Sequence, residues 1–152
     1  MIETTNKLEA LLILTKEYIS KSSDAELNLK ASPEKWSKKE IIGHLIDSGI
    51  NNIQRFTAVQ IEKEPYRIMP MKQVELVQVN DYQNADIEEL LAFLIAINMR
   101  VKNLMLLQNA QTLSTPIELY TKGNMSDMRY LMEDYVAHFE QHIHQIIKPS
   151  TT

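Results

Sequence analysis

Apolar residues recur along this chain at the three- and four-residue spacing of amphipathic helices. Leu8, Leu11, Leu12, Thr15, Tyr18 and Ile19 form one such stripe and predict a first helix over residues 4–22. Similar stripes predict helices over residues 36–63, 86–109 and 124–147, with Pro149 closing the last. The second helix has two start signals. Ser37 stands three residues before Glu40, the spacing of a capping box, and Trp36 and Ile41 occupy the positions of a hydrophobic staple. Asp86 ahead of Glu89 marks the third helix in the same way, and Asn124 after Gly123 is the candidate cap of the fourth.

The connection between the second and third helices reads EPYRIMPMKQVELVQVNDYQNA and is broken by Pro65 and Pro70. A stretch of that length inside a compact domain predicts a crossover or a lid, not a tight turn. Within it VELVQV has the composition of a short extended piece, although no partner strand is in view. Four amphipathic helices predict an all-α four-helix bundle, one domain over residues 1–152, with a long connection between helices two and three. That connection argues against a topology of short hairpins alone.

Composition narrows the chemistry. Only 3 glycines and 5 prolines interrupt 152 residues, in keeping with long helices. The net charge is −4, and no basic cluster exceeds Lys38-Lys39 or Arg100 with Lys102, which argues against a nucleic-acid partner. The N-terminal stretch is apolar on one stripe only and charged throughout, so neither a signal peptide nor a membrane span is expected and the cytoplasm is the expected location. There are no cysteines, which excludes disulfides, thiolate metal sites and a protein-borne thiol nucleophile. Any metal must be held by His, Asp or Glu, and any thiol must arrive on a small molecule.

The candidate chemistry lies in histidines. HFEQH places His138 and His142 four residues apart, about 40° apart around a helix and hence on one face. They flank the stripe Leu131, Tyr135, Phe139, Ile143 and Ile146, which turns them inward, whereas His144 points to solvent. His44 follows Ile41 by three residues beside Leu45 and Ile46, and it too faces the interior. One inward histidine is usually a satisfied core residue. Three without partners would cost roughly 1–3 kcal/mol each. A divalent metal would satisfy all three, and three imidazoles with an open position is the ligand set of a catalytic site, not of a closed structural one.

The stretch WSKKEIIGHLIDSGINNIQRF resembles the second-helix signature of the DinB/YfiT-like superfamily, and YVAHFEQHIHQI its last-helix signature. The resemblance extends along the whole chain and includes the connection ending in NDYQ. It implies a four-helix bundle in which His44, His138 and His142 hold a divalent metal, zinc or nickel, with water in the open positions. Relatives often carry a histidine directly before the last ligand, where this chain has Gln141. His144 matches no ligand position. Characterised members of the superfamily use low-molecular-weight thiols such as bacillithiol or mycothiol, and others have no known activity.

Around these positions, Asp47 and Asp134 are candidates to accept the free ring N–H of a ligand and fix its tautomer, with solvated or capping carboxylates as the plainer reading. Arg55 reads as half of a surface ion pair, or as a contact for the carboxylate of an anionic thiol. Tyr135 and the methionines read as core. Three functions follow in order. The first is transfer of a metal-activated small thiol to an electrophilic small-molecule substrate. The second is metal-assisted hydrolysis with Asp47 or Asp134 as general base. The third is a metal-binding bundle without catalysis, whose apolar helix faces serve homodimerisation or partner binding.

Overall fold

The computed structural model describes residues 1–148, so Pro149 and the helix stop assigned to it lie outside the described residues. Four long helices carry the fold: α1 (Ile2–Lys21), α3 (Lys38–Ile61), α5 (Ile87–Leu106) and α7 (Met128–Ile147). Three short helices, α2 (Asp24–Asn28), α4 (Gln73–Val79) and α6 (Ala110–Leu113), and three short strands, β1 (Tyr66–Arg67), β2 (Pro116–Glu118) and β3 (Met125–Asp127), fill the connections. The protein is a four-helix bundle. Both α1 and α3 pack against α5 and α7, so the helices consecutive among the long ones, α1 with α3 and α5 with α7, sit diagonally across the core. A ring of short hairpins would make them neighbours, and the long connections are what permit the diagonal arrangement.

Every long helix contributes side chains with no exposed surface, among them Leu8, Leu45, Ile46, Phe56, Leu94, Val101, Phe139 and Ile143. The predicted stripes are the buried faces. Burial of this apolar area, at about 25 cal/mol per Å², is the main term holding the bundle together. No helix among the described residues is long and apolar enough to cross a membrane.

The capping box at α3 forms as its spacing predicts. The Glu40 N–H donates to Ser37 Oγ at 3.1 Å, and the Ser37 N–H donates to Glu40 Oε2 at 2.8 Å. Ser37 Oγ also donates to Gln83 Oε1 at 2.6 Å, tying the start of α3 to the far end of the long connection. At α5 the Asp86 carboxylate accepts from the Glu89 N–H at 3.0 Å.

The connections depart from the sequence reading in two places. VELVQV is not extended but lies in α4, which buries Val77 and leaves Val74 and Val79 in solvent. The strand that does form upstream is β1, which pairs parallel with β2 through Tyr66 and Ile117. Nor does Asn124 cap the last helix. Its N–H and C=O are spent in the hairpin between β2 and β3, on Thr121 and Leu119, and Gly123 turns that hairpin at φ +80°. Asp127, at the end of β3, takes the cap and accepts from the Tyr130 N–H at 2.9 Å. Strands of two or three residues are too short to show an alternation, so none of the three was legible as periodicity.

Candidate metal centre

His44 lies in the second turn of α3, where Gly43 lets the Tyr82 ring lie flush on the helix. A Cβ at Gly43 would come within 2.1 Å of that ring. The His44 imidazole is buried against Trp36, with ring centroids 5.0 Å apart. From α7, the half-buried His138 and His142 turn towards it. His44 Nε2 lies 3.3 Å from His138 Nε2, and His142 Nε2 lies 3.1 Å from the same atom. The three rings meet steeply, at 76°, 68° and 74° to one another, so that their edges and not their faces converge.

The electrostatics keep these rings uncharged. Burial, reinforced by the two neighbouring imidazoles, pulls His44 down to about 3. Burial and His142 pull His138 down to about 4. His142 is lowered as well, by burial, against the opposing effect of its hydrogen bond to the Gln145 side-chain oxygen. The Gln145 carbonyl oxygen lies 3.1 Å from His142 Nδ1, which places the ring proton there and leaves Nε2 with its lone pair. His44 Nδ1 is buried without a hydrogen-bond partner.

This donor set fits a cation. Three nitrogens bound at about 2.0–2.1 Å to one centre stand about 2.9–3.4 Å from each other, depending on whether the angles are square or tetrahedral. Two of the separations, 3.1 and 3.3 Å, lie inside that range, and all three ligand atoms lie within 4.8 Å of one another, so that a small approach of His44 and His142 would complete the set. Neutral imidazoles carry one N–H each, so three converging Nε2 atoms cannot all be satisfied by one another. A divalent metal can satisfy all three. A cavity of about 230 Å³ opens from His44 and His138, following α3 forward to Arg55 and α7 backward to Leu131.

The sequence model of the DinB superfamily matches residues 7–146. The chain belongs to the DinB superfamily. Its fold is similar to that of YfiT from Bacillus subtilis, described as a probable metal-dependent hydrolase with an unusual four-helix bundle topology; the TM-score is 0.83 over 95% of this chain and 82% of that one, at 22% identity. No protein of curated function matches it significantly.

In this DinB-superfamily chain the three histidines singled out by spacing do come together, and His144 is exposed as expected. Glu140, between the paired histidines, turns away to Lys7. Neither carboxylate accepts a ring N–H; Asp134 fits the plainer reading of a solvated carboxylate, whereas Asp47 is buried. Asp47 makes no hydrogen bond to a ring nitrogen. Its Oδ1 accepts from Tyr82 Oη at 2.7 Å and from Asn80 Nδ2 at 3.1 Å, which fastens the long connection to α3. Its Oδ2 is buried without a partner, and burial raises its pKa. Asp134 is exposed and makes no hydrogen bond to His138, but it lines the cavity beside it.

Arg55 overturns its surface reading. It is 8% exposed, its guanidinium donates to the Met69 carbonyl, and it lines the same cavity. The signal was available: Ser48, Asn52 and Arg55 follow His44 at four, eight and eleven residues, one face of α3. Gln73 and Tyr120, which complete the wall, come from connections whose placement no helical period reveals.

Proposed function

We propose that His44, His138 and His142 hold one divalent cation, zinc or nickel, and that the protein is a hydrolase acting on a small-molecule ester or amide. The observation that carries this reading is the convergence of three imidazoles, two of which, His44 and His138, line a cavity that a carboxylate, Asp134, also lines. A cation on three neutral ligands lowers the pKa of a bound water to about 7 and polarises a carbonyl. Asp134 lines the cavity beside His138, with its carboxylate free to take a proton from the attacking water and return it to the leaving group. Asp47 is the weaker candidate for that task, because Oδ1 is already engaged by Tyr82 and Asn80. Gln145 holds the His142 tautomer in which Nε2 is the donor. YfiT, which shares the fold, carries the same class of description.

Thiol transfer, which the sequence ranks first, is the second reading. The absence of cysteine means that a thiol nucleophile would have to be imported. A cavity of about 230 Å³ is small beside the roughly 300–1,000 Å³ of ordinary ligand pockets. It suits one small substrate and a water better than a thiol cofactor together with its electrophile. A panel of p-nitrophenyl esters and anilides, assayed on zinc- and nickel-loaded protein, tests the choice. We expect turnover that His142→Ala abolishes and that Asp134→Asn lowers about 10²–10⁴-fold. Turnover of monochlorobimane that requires an added thiol, with no hydrolysis of any panel member, would replace this reading with thiol transfer.

A further inference from the structure

Arg55 is a charged side chain more than nine-tenths buried, and among the described residues it forms no ion pair. Its guanidinium carries five N–H donors in a rigid fork and cannot shed its charge. One of them goes to the Met69 carbonyl. Burying a guanidinium with so little compensation is costly, and such a group is held ready for an oxyanion. The surroundings do not supply one. Asn51, Asn52 and Gln73 on the same wall are neutral, and the Asn52 amide N–H is engaged with the Ser48 carbonyl at 2.9 Å. The carboxylate that does line the cavity, Asp134, is one turn of α7 from His138 and forms no ion pair with Arg55.

We infer that the cavity recognises an elongated organic anion, with a carboxylate or phosphate on the Arg55 guanidinium and the opposite end at the histidines. The inference rests on the cavity being the substrate site, as proposed above, but not on the presence of the cation. Positions 44 and 55 are about 16 Å apart along the axis of α3, and the backward lean of helical side chains shortens the gap between their tips. The ligand is therefore a molecule of several bonds' length whose charged end is remote from the bond that reacts. Arg55 in this account is a specificity-determining residue and does not touch the reacting atoms.

The test uses three probes of matched length: hexanoate, hexyl phosphate and the neutral hexanamide. Each is titrated calorimetrically into full-length protein, first metal-free and then zinc-loaded, so that attraction of the anion to the cation is separated from attraction to Arg55. The metal-free protein should bind at least one of the anions about tenfold or more tightly than the amide. Arg55→Gln should erase that preference and Arg55→Lys, which keeps the charge but not the fork, should weaken it. The better anion of the two assigns the charged group as carboxylate or phosphate. Equal binding of anions and amide by the wild-type chain overturns the inference without recourse to any variant, as does a preference that survives in Arg55→Gln. If zinc fails to bind while the Arg55-dependent preference persists, the metal reading falls and this one stands.

Discussion

Replacing Gly43 by alanine tests the packing that places His44. The added Cβ would lie 2.1 Å from Tyr82 Cγ and Cδ2 and 2.7 Å from Tyr82 Cβ. Ordinary carbon contacts are about 3.5–4.0 Å, so the ring must retreat by more than an ångström. It cannot swing aside freely. One of the crowded atoms, Cβ, is bonded to the Tyr82 backbone, and the hydroxyl is tied to Asp47 at 2.7 Å. Overpacking of this kind costs about 1–3 kcal/mol, and loosening the bond to the buried carboxylate about 1–3 more. Alanine returns about 1 kcal/mol of helix propensity. The net is a loss of roughly 1–5 kcal/mol, or a Tm lower by about 2–20 °C at this chain length. Gly49→Ala is the control, because there the new Cβ meets a terminal methyl, Ile97 Cγ2, at 2.4 Å, and a smaller shift relieves it. Thermal and urea unfolding of metal-free protein compare the two. A Gly43→Ala chain as stable as wild type, or more stable than Gly49→Ala, would refute the reasoning.

Further outcomes follow from the same geometry. Tyr135 donates to Asn98 Oδ1 at 2.6 Å in the buried core, so Tyr135→Phe should cost about 1–3 kcal/mol by urea unfolding. Ser37→Ala removes both a cap and the bond to Gln83 and should lower stability by about 1–2 kcal/mol, whereas Ser37→Thr should retain most of it. Stability of the metal-free protein should depend on pH through its histidines. All three are depressed in the fold relative to about 6.5 in the unfolded chain, so their contribution is complete above pH 6.5 and is lost as pH falls towards 4 and then 3. Asp47, raised by burial, works in the opposite direction, but as one carboxylate against three imidazoles. Urea midpoints that do not fall between pH 7 and pH 4.5 would contradict the assignment.

The long helices and the histidine cluster were legible because both depend on local period. Leu131, Tyr135 and Phe139 mark the inner face of α7, and that alone orients His138 and His142 and turns out His144. The same logic, pursued along α3 from His44, leads to Arg55. What no period reveals is the partner chosen across a long connection. Asp47 was offered to a ring nitrogen by its sequence neighbourhood, yet Tyr82, 35 residues away, takes it. Gln73 and Tyr120 reach the cavity, and β1 reaches β2, by closures of the same kind. Asn124 lost the α7 cap to Asp127 because β3 consumed the residues between them.

The proposed hydrolysis requires that the three imidazoles bind a cation. Untagged, metal-free protein titrated with zinc and with nickel, followed by elemental analysis after dialysis, measures this directly. One equivalent per chain should be retained, and His44→Ala, His138→Ala and His142→Ala should each reduce the affinity steeply. Retention of no metal, or uptake undiminished when all three histidines are replaced, would contradict it.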